Sequence, residues 1–343
     1  MRILVYLPFL ASAVLGVMGP WAAGRMPPKI GARLLLAAGA TCAATSLISL
    51  ALLAWTLVGQ VPLVAAVGAW SGPTLRRYDP VLPVVAEAAG AMFVAVGTAT
   101  LWSAVSRLRA LRRTREAACR LGDGRRLVIV DQPEPEAFAV PARRTGDGRI
   151  VVSTGLLRVL DGAERRTVLA HENAHLRHRH HCHRLLAGLI AAANPLLLPI
   201  PGAINHLTER WADEEAAAVV ADRRTAARAL TRAALASHPP SGTSRRGDAT
   251  LMCFHRDDIP GRVRALLAGA PPRRPLLALH LAALLAACLL SAGEAGRDAA
   301  QLLDQAGDHA HARPAGPEVI LRGETPSARR PGSRPARIGG PTL

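Results

Sequence analysis

Four apolar stretches, each near the ~20 residues needed to cross a bilayer, constrain this chain more than any other feature. The first (Ile3 to Ala23) and the second (Leu34 to Val58, apolar on to Trp70) contain no Asp, Glu, Lys or Arg. The third (Val81 to Val105) carries one charge, Glu87, and the fourth (Leu276 to Ala292) has none. Aromatics make up only 3% of the chain, and alanine and leucine supply most of the apolar surface, a balance common in lipid-embedded helices and unusual in a soluble core. The first stretch also has features of a signal peptide, with Ala11-Ser12-Ala13 as a cleavage site. Its basic start is Arg2 alone, however, which favours a retained span.

Cytoplasmic loops collect Lys and Arg, so the loops orient the spans. Arg25, Lys29 and Arg33 lie between the first two stretches; Arg107, Arg109, Arg112, Arg113 and Arg115 follow the third. Between the second and third, Arg76 and Arg77 are offset by Asp79. The pattern predicts an outside amino terminus and three transmembrane helices in residues 1–106. A cytoplasmic domain in 107–275, a fourth transmembrane helix in 276–293 and a disordered Pro-, Gly- and Arg-rich tail in 294–343 follow. Glu87 is expected to face a neighbouring helix rather than to mark a transport path. The net charge of +17 comes almost wholly from arginine, Lys29 being the lone lysine, which speaks for genome composition more than for a ligand. No helix-turn-helix or stacking-aromatic pattern accompanies the charge, so no nucleic-acid partner is expected. The five cysteines (Cys42, Cys119, Cys182, Cys253, Cys288) show no paired spacing and imply no disulfide framework.

Within 107–275, "RLVIVD" (126–131), "AFAV" (137–140) and "RIVVS" (149–153) have strand character, and the Gly-Asp-Gly of "PARRTGDG" suits a hairpin turn between the last two. "RIVV" is either the sheet edge along which a substrate adds or part of a purely structural hairpin. "STGLLRVL" has helical character, and Asp161 with Glu164 has the capping-box spacing that opens a longer helix. From Arg165 to Ala193 there is no Pro, and no Gly before Gly188, which predicts one continuous helix with "HENAH" well inside it. "INHLTERWADEEAAAVVAD" forms a second helix and the residues after Asp222 a third; "SHPPSGTSRRGDAT" is a loop.

Residues four apart share a helix face, so His171 and His175 can hold one divalent ion, with Glu172 beside them to work on its water. Catalytic zinc takes a third protein ligand, and "ERWAD" supplies Glu209 for it. Asp213, a turn further, can accept a hydrogen bond from the free ring N–H of a ligand histidine. The bland alternative, a solvated histidine-bearing face, explains "HENAH" alone but not its pairing with "ERWAD". Leu185 to Thr208 carries no Asp, Glu, Lys or Arg, yet a crossing there would put His171 and Glu209 on opposite sides of the bilayer. With Asn194, Pro195, Pro199, Pro201 and Gly202 breaking it, the stretch is expected to be a helical hairpin, either buried in the domain or dipping into the inner leaflet. His178, His180, His181 and His183 alternate with arginines around several helix faces, which suits lipid headgroups better than a second metal.

"AFAVP", "GRIVVSTGLL", "AERRTVLAHENAHLRHRHH" and "ERWADEEAAA" together resemble the integral-membrane zinc peptidases of the BlaR/MecR antirepressor type in their short actinobacterial form. The helix pair is also similar to that of HtpX-type and CAAX prenyl peptidases, all of the gluzincin arrangement. The resemblance implies a mainly α fold: multi-pass membrane helices plus a gluzincin-type zinc peptidase domain with a small β-sheet and an HExxH active-site helix. It implies one Zn2+ per chain on His171, His175 and Glu209, Glu172 as general base and Asp213 as supporting aspartate. Fewer than the residues of a penicillin-binding domain follow the last span, and no Ser-x-x-Lys motif is present there, so β-lactam sensing is not implied. The expected activity is hydrolysis of peptide bonds in a cytoplasmic or membrane-associated protein, such as a repressor, at the cell membrane with the catalytic domain facing the cytoplasm. The rival is a non-enzymatic membrane scaffold or signalling protein with a degenerate zinc-peptidase fold. The oxyanion donor cannot be a tyrosine, since Tyr6 and Tyr78 lie outside the domain; His206 or an arginine is left.

Overall fold

The computed structural model describes residues 4–68, 75, 81–120, 125–142, 148–237, 258–269 and 275–311. The loop 238–250, most of the "PARRTGDG" turn and the end of the tail lie outside these residues. After a 3-10 turn come α1 (Leu7–Ala23), α2 (Pro28–Val58), α3 (Pro62–Gly68) and α4 (Pro83–Arg120). Then follow β1 (Leu127–Val130), β2 (Ala137–Val140), β3 (Arg149–Ser153), α5 (Thr154–Val159), α6 (Gly162–Arg177) and α7 (His180–Ala193). The described chain closes with α8 (Ile200–Val220), α9 (Arg223–Ala236), α10 (Ile259–Leu267) and α11 (Pro275–His311).

Three helices are long and apolar enough to cross a membrane, over Pro28–Trp55, Pro83–Ala117 and Pro275–Leu302, and α1 is a shorter apolar helix. The chain is thus a multi-pass membrane protein. At ~1.5 Å per residue α4 is far longer than a bilayer is thick, so the same helix that spans also delivers Arg107 and Thr114 to the domain below. The expected boundary at residue 106 is therefore no break in the chain's structure. Nor does the tail begin at 294: α11 continues to His311 because "EAGRDAAQLLDQAGDHAH" lacks proline and is rich in good helix formers. Glu87 is exposed one turn into α4 instead of facing a neighbour.

The uncharged segment 185–208 forms a hairpin of α7, a 3-10 turn at Pro195–Leu197 and the start of α8, docked against α1 and α2. Asn194 at its tip is buried; its Nδ2 donates to Ser12 Oγ (2.8 Å) and Ser46 Oγ (3.0 Å), and its Oδ1 accepts from Leu196 N. Ser12 lies about 16 Å along α1 from the Ala23 end at the helical rise, so the tip stands inside the layer of membrane helices. Glycines make the room. A Cβ on Gly16 would overlap the Leu196 carbonyl oxygen, and one on Gly19 would come within 2.6 Å of Ile200 Cδ1. Gly16→Val is expected to cost about 1–3 kcal/mol by overpacking. Gly293→Ala, where nothing lies within 4 Å, should melt like wild type in detergent; equal melting of the two variants would refute the docking.

The sheet order is β1-β3-β2, with β1 parallel and β2 antiparallel to β3. This corrects one expectation: "RIVV" is the central strand, hydrogen-bonded on both sides, and β2 is an edge. A second correction concerns the helix through "HENAH". It is not continuous to Ala193 but ends at Arg177, and Arg179 sits at φ 50° and ψ 45° in the left-handed region. The polar α6 packs on α8 and α9, while the apolar α7 packs on α2 and α4, and a straight helix cannot serve both layers.

Candidate metal centre

α6 starts where the sequence signals it. Asp161 accepts from the Ala163 and Glu164 backbones, and Glu164 Oε2 accepts from Asp161 N, a reciprocal capping box. Two turns on, the same face carries His171 and His175 toward α8, whose buried side presents Glu209 and Asp213. His171 Nε2 and His175 Nε2 are 3.1 Å apart; they lie 3.5 Å and 3.3 Å from Glu209 Oε2 and Oε1 respectively. Tetrahedral zinc with bonds of ~2.0–2.1 Å requires donor separations of about 3.3 Å, and the three side chains bring their donor atoms close to that spacing, each histidine facing a different oxygen of Glu209. His171, His175 and Glu209 are the zinc site of this protein.

The second ring nitrogen of each ligand is also held. His171 Nδ1 lies 3.0 Å from Asp213 Oδ1, the contact expected of Asp213. His175 Nδ1 lies 2.8 Å from Nδ1 of His180, which is wholly buried against Trp211. This overturns the headgroup reading for His180: the turn at Arg179 folds it back beneath the metal ligand. His178 stacks on Trp211 as well, with ring centroids 4.4 Å apart. On an unbroken helix His180 would lie off the metal face, and only the left-handed turn at Arg179 brings it there.

Arg262 is a second residue of the site that helical spacing does not point to. From α10 its Nη1 reaches Glu209 Oε2 (2.9 Å), while Nη2 and Nε bind Asp213 at 2.6 and 2.7 Å. It is buried, and it joins the metal carboxylate to the supporting one. Asp258 as N-cap with Pro260 behind it could have signalled α10, but nothing in an arginine-rich sequence distinguishes Arg262. Arg184 Nη2 closes the shell at 2.6 Å from Glu209 Oε1.

Burial opposes ionisation of Glu209 and Asp213, but Arg262 and the ligand histidines prevail and hold both below the ordinary carboxylate range. Burial disfavours the charged form of His171, yet its bonds to Asp213 and Glu209 raise it to about 10. Burial lowers His175 to about 4. Without metal, then, His171 is an imidazolium and His175 a neutral ring, so zinc must displace one proton. A higher pH removes that proton beforehand, so zinc affinity should climb about tenfold per pH unit from 7 to 8.5. Calorimetry at pH 8 in buffers of different ionisation heat should count about one proton released by His171 per zinc; a count of zero would exclude the clasped imidazolium.

Glu172 is half-buried, and desolvation in the cleft pushes its carboxyl up to about 7. It lies where two cavities meet, one of about 270 Å³ and one of about 330 Å³, both lined by His171, Glu172, Ala137 and Phe138. The edge strand β2 therefore runs past the metal donors. His206 is not drawn into either cavity; its Nδ1 faces Asp258 Oδ2 at 3.3 Å.

Residues 106–198 match the family model described as Peptidase family M48. The match ends before Glu209, so the third ligand comes from geometry. Among similar proteins are ones called "Protease HtpX homolog". That of Acidiphilium cryptum is 30% identical over 189 residues, covering 45% of this chain and 66% of its own length. That of Burkholderia thailandensis is 31% identical over 170 residues (40% and 59%), and that of Thermodesulfovibrio yellowstonii 36% over 90 (26% and 28%). The chain thus spans less than two thirds of each of these relatives. No solved structure gives a significant match.

Proposed function

Starting from a membrane protein whose residues 106–198 are of the M48 zinc-metallopeptidase type, we propose that this chain is a zinc-dependent endopeptidase working at the membrane surface. The observation that carries the reading is the convergence of His171, His175 and Glu209, whose donor atoms lie within 4.8 Å of one another, with Glu172 beside them at the junction of two cavities. When bound, zinc polarises the scissile carbonyl and acidifies the attacking water. Glu172 takes the water's proton and hands it to the leaving amine nitrogen. Asp213 and His180 keep the ligand rings in register. Arg184, in the cleft and one hydrogen bond from Glu209, stabilises the charge developing on the carbonyl oxygen, the role that His206 is turned away from. The substrate lies extended along β2, an edge strand that lines both cavities together with His171 and Glu172.

The catalytic face is assigned to the cytoplasm. Its support is the positive-inside pattern, together with Lys29 and Arg33 at the start of α2, which lie 5.9 and 5.4 Å from the Trp211 ring of α8. A finer kinship with BlaR/MecR-type peptidases, and a repressor or membrane-protein fragment as substrate, rest on the sequence motifs and on spans placed before and after the domain. The test is cleavage of an unfolded protein by the full, zinc-loaded chain in detergent, with a chelator and Glu172→Gln as controls. Absence of chelator-sensitive cleavage would leave the non-enzymatic scaffold.

A further inference from the structure

The two cavities that meet at the metal differ in chemistry. The smaller, beyond Glu172, is walled chiefly by Leu156, Val168, Leu230 and alanines. The larger holds Arg107, Arg184 and His181. Its carboxylates, Glu172 and Glu209, both belong to the metal centre, so away from that centre its charge is positive only.

Arg107 is built into this cavity. α4 carries it past the end of the third apolar stretch, its Nε donates to Ser103 Oγ (3.1 Å), and its guanidinium lies flat on α7 at Gly188. A Cβ at Gly188 would overlap Arg107 Cζ, so only glycine lets the side chain lie there. Among the described residues no carboxylate pairs with it. Nearby, burial and then the charges of Arg115, Arg179 and Arg184 press His181 down to about 4.

β2 supplies direction. Pro135 and Glu136 border only the apolar cavity, Ala139 and Pro141 border only the basic one, and Ala137 and Phe138 between them border both. A strand added to this edge in the antiparallel sense enters over Val140 and leaves over Ala137, so residues before the scissile bond lie in the basic cavity.

We propose that Arg107 binds an acidic side chain of the substrate on the amino-terminal side of the scissile bond. The proposal rests on the endopeptidase reading and adds a substrate class to it. An anionic lipid headgroup has the same charge, but the cavity's walls include the edge strand and the metal ligands, which a peptide must touch and a headgroup need not.

The test uses the full chain in nanodiscs. Zinc-loaded wild type is given a mixture of peptides from a digested proteome, and the cut sites are sequenced. Asp and Glu should be enriched before the cut. On a matched pair of peptides differing only as Glu against Gln, Arg107→Gln should lower kcat/KM about tenfold for the acidic member, chiefly through KM, and leave the other unchanged. Arg107→Lys should restore part of the loss, and Arg107→Glu should shift preference to basic residues. In a second arm, the Glu172→Gln chain binds the fluorescent peptide pair without turnover. Preference for the acidic peptide, lost in Glu172→Gln/Arg107→Gln, supports the subsite even if no cleavage is seen, in which case the endopeptidase reading alone fails. Equal binding of both peptides overturns the proposal. So does an Arg107→Gln effect confined to nanodiscs of phosphatidylglycerol and absent in phosphatidylcholine, which would make the cavity a headgroup site.

Discussion

Glu172→Gln should lose ~10³-fold or more in peptide hydrolysis while keeping one zinc per chain, since general-base catalysis contributes about 10²–10⁴-fold. The amide keeps the shape of the carboxylate, and Glu172 is not one of the three donors at the metal. What it removes is the proton acceptor where the cavities meet. A second consequence runs in the other direction. Burial raises the Glu172 carboxyl from 4.5 to about 7, so the fold favours its protonated form over its ionised one. That raised value costs the native state nothing below pH 4.5, a growing amount between pH 4.5 and 7, and a constant amount above. The metal-free Gln variant should therefore melt above wild type at pH 8 and match it near pH 4. Metal analysis, cleavage rates and melting curves together decide the assignment. Wild-type cleavage by the variant would remove Glu172 from the mechanism, and lost zinc would make it a structural residue.

Arg262→Leu should be the most damaging single change to the metal-free fold. It strips Glu209 and Asp213 of a buried guanidinium that makes contacts of 2.6 to 2.9 Å to both. Removing one partner from a buried ion pair costs about 3–5 kcal/mol because the charge left behind has no water to replace it. For a chain of this size that is a fall of about 4–7 °C in Tm. Zinc supplies positive charge to Glu209 and should recover part of the loss, so the variant's melting temperature should depend on zinc more steeply than wild type's. Arg262→Lys, which cannot reproduce the forked contact, should fall between. If Arg262→Leu melts like wild type without metal, the network does not carry the stability ascribed to it.

Much of the metal centre is legible in the sequence because its signals are local. His171 and His175 share a face through helical spacing alone, and the Asp161–Glu164 box announces the helix that bears them. "ERWAD" repeats the same spacing on a second helix, which is why Glu209 and Asp213 can be paired with the histidines before any coordinates are known. The break at Arg179 carries no such mark. Its residues are ordinary helix formers, and the left-handed turn exists because α6 and α7 pack on different layers. His180 beneath His175 follows from that turn and was hidden with it. The edge position of β2 was equally hidden, since "AFAV" and "RIVV" are both short apolar runs and neither contains its own place in a sheet.

By itself the sequence determined the three long apolar helices and the zinc donors, and it singles out Glu172 as the residue to propose as base. Each of these depends on residue type at fixed intervals along one element, where bond geometry does the ordering. Only the tertiary structure decided that Arg262 locks the two carboxylates, that Asn194 is sunk between Ser12 and Ser46, and that Arg107 stands at one end of the cleft. Those pairings join residues 49 and 182 positions apart, and from the end of one membrane helix to the far side of a domain. Contacts at such separations are selected by the packing of whole helices, and the identity of one arginine among many holds no information about which carboxylate it will meet.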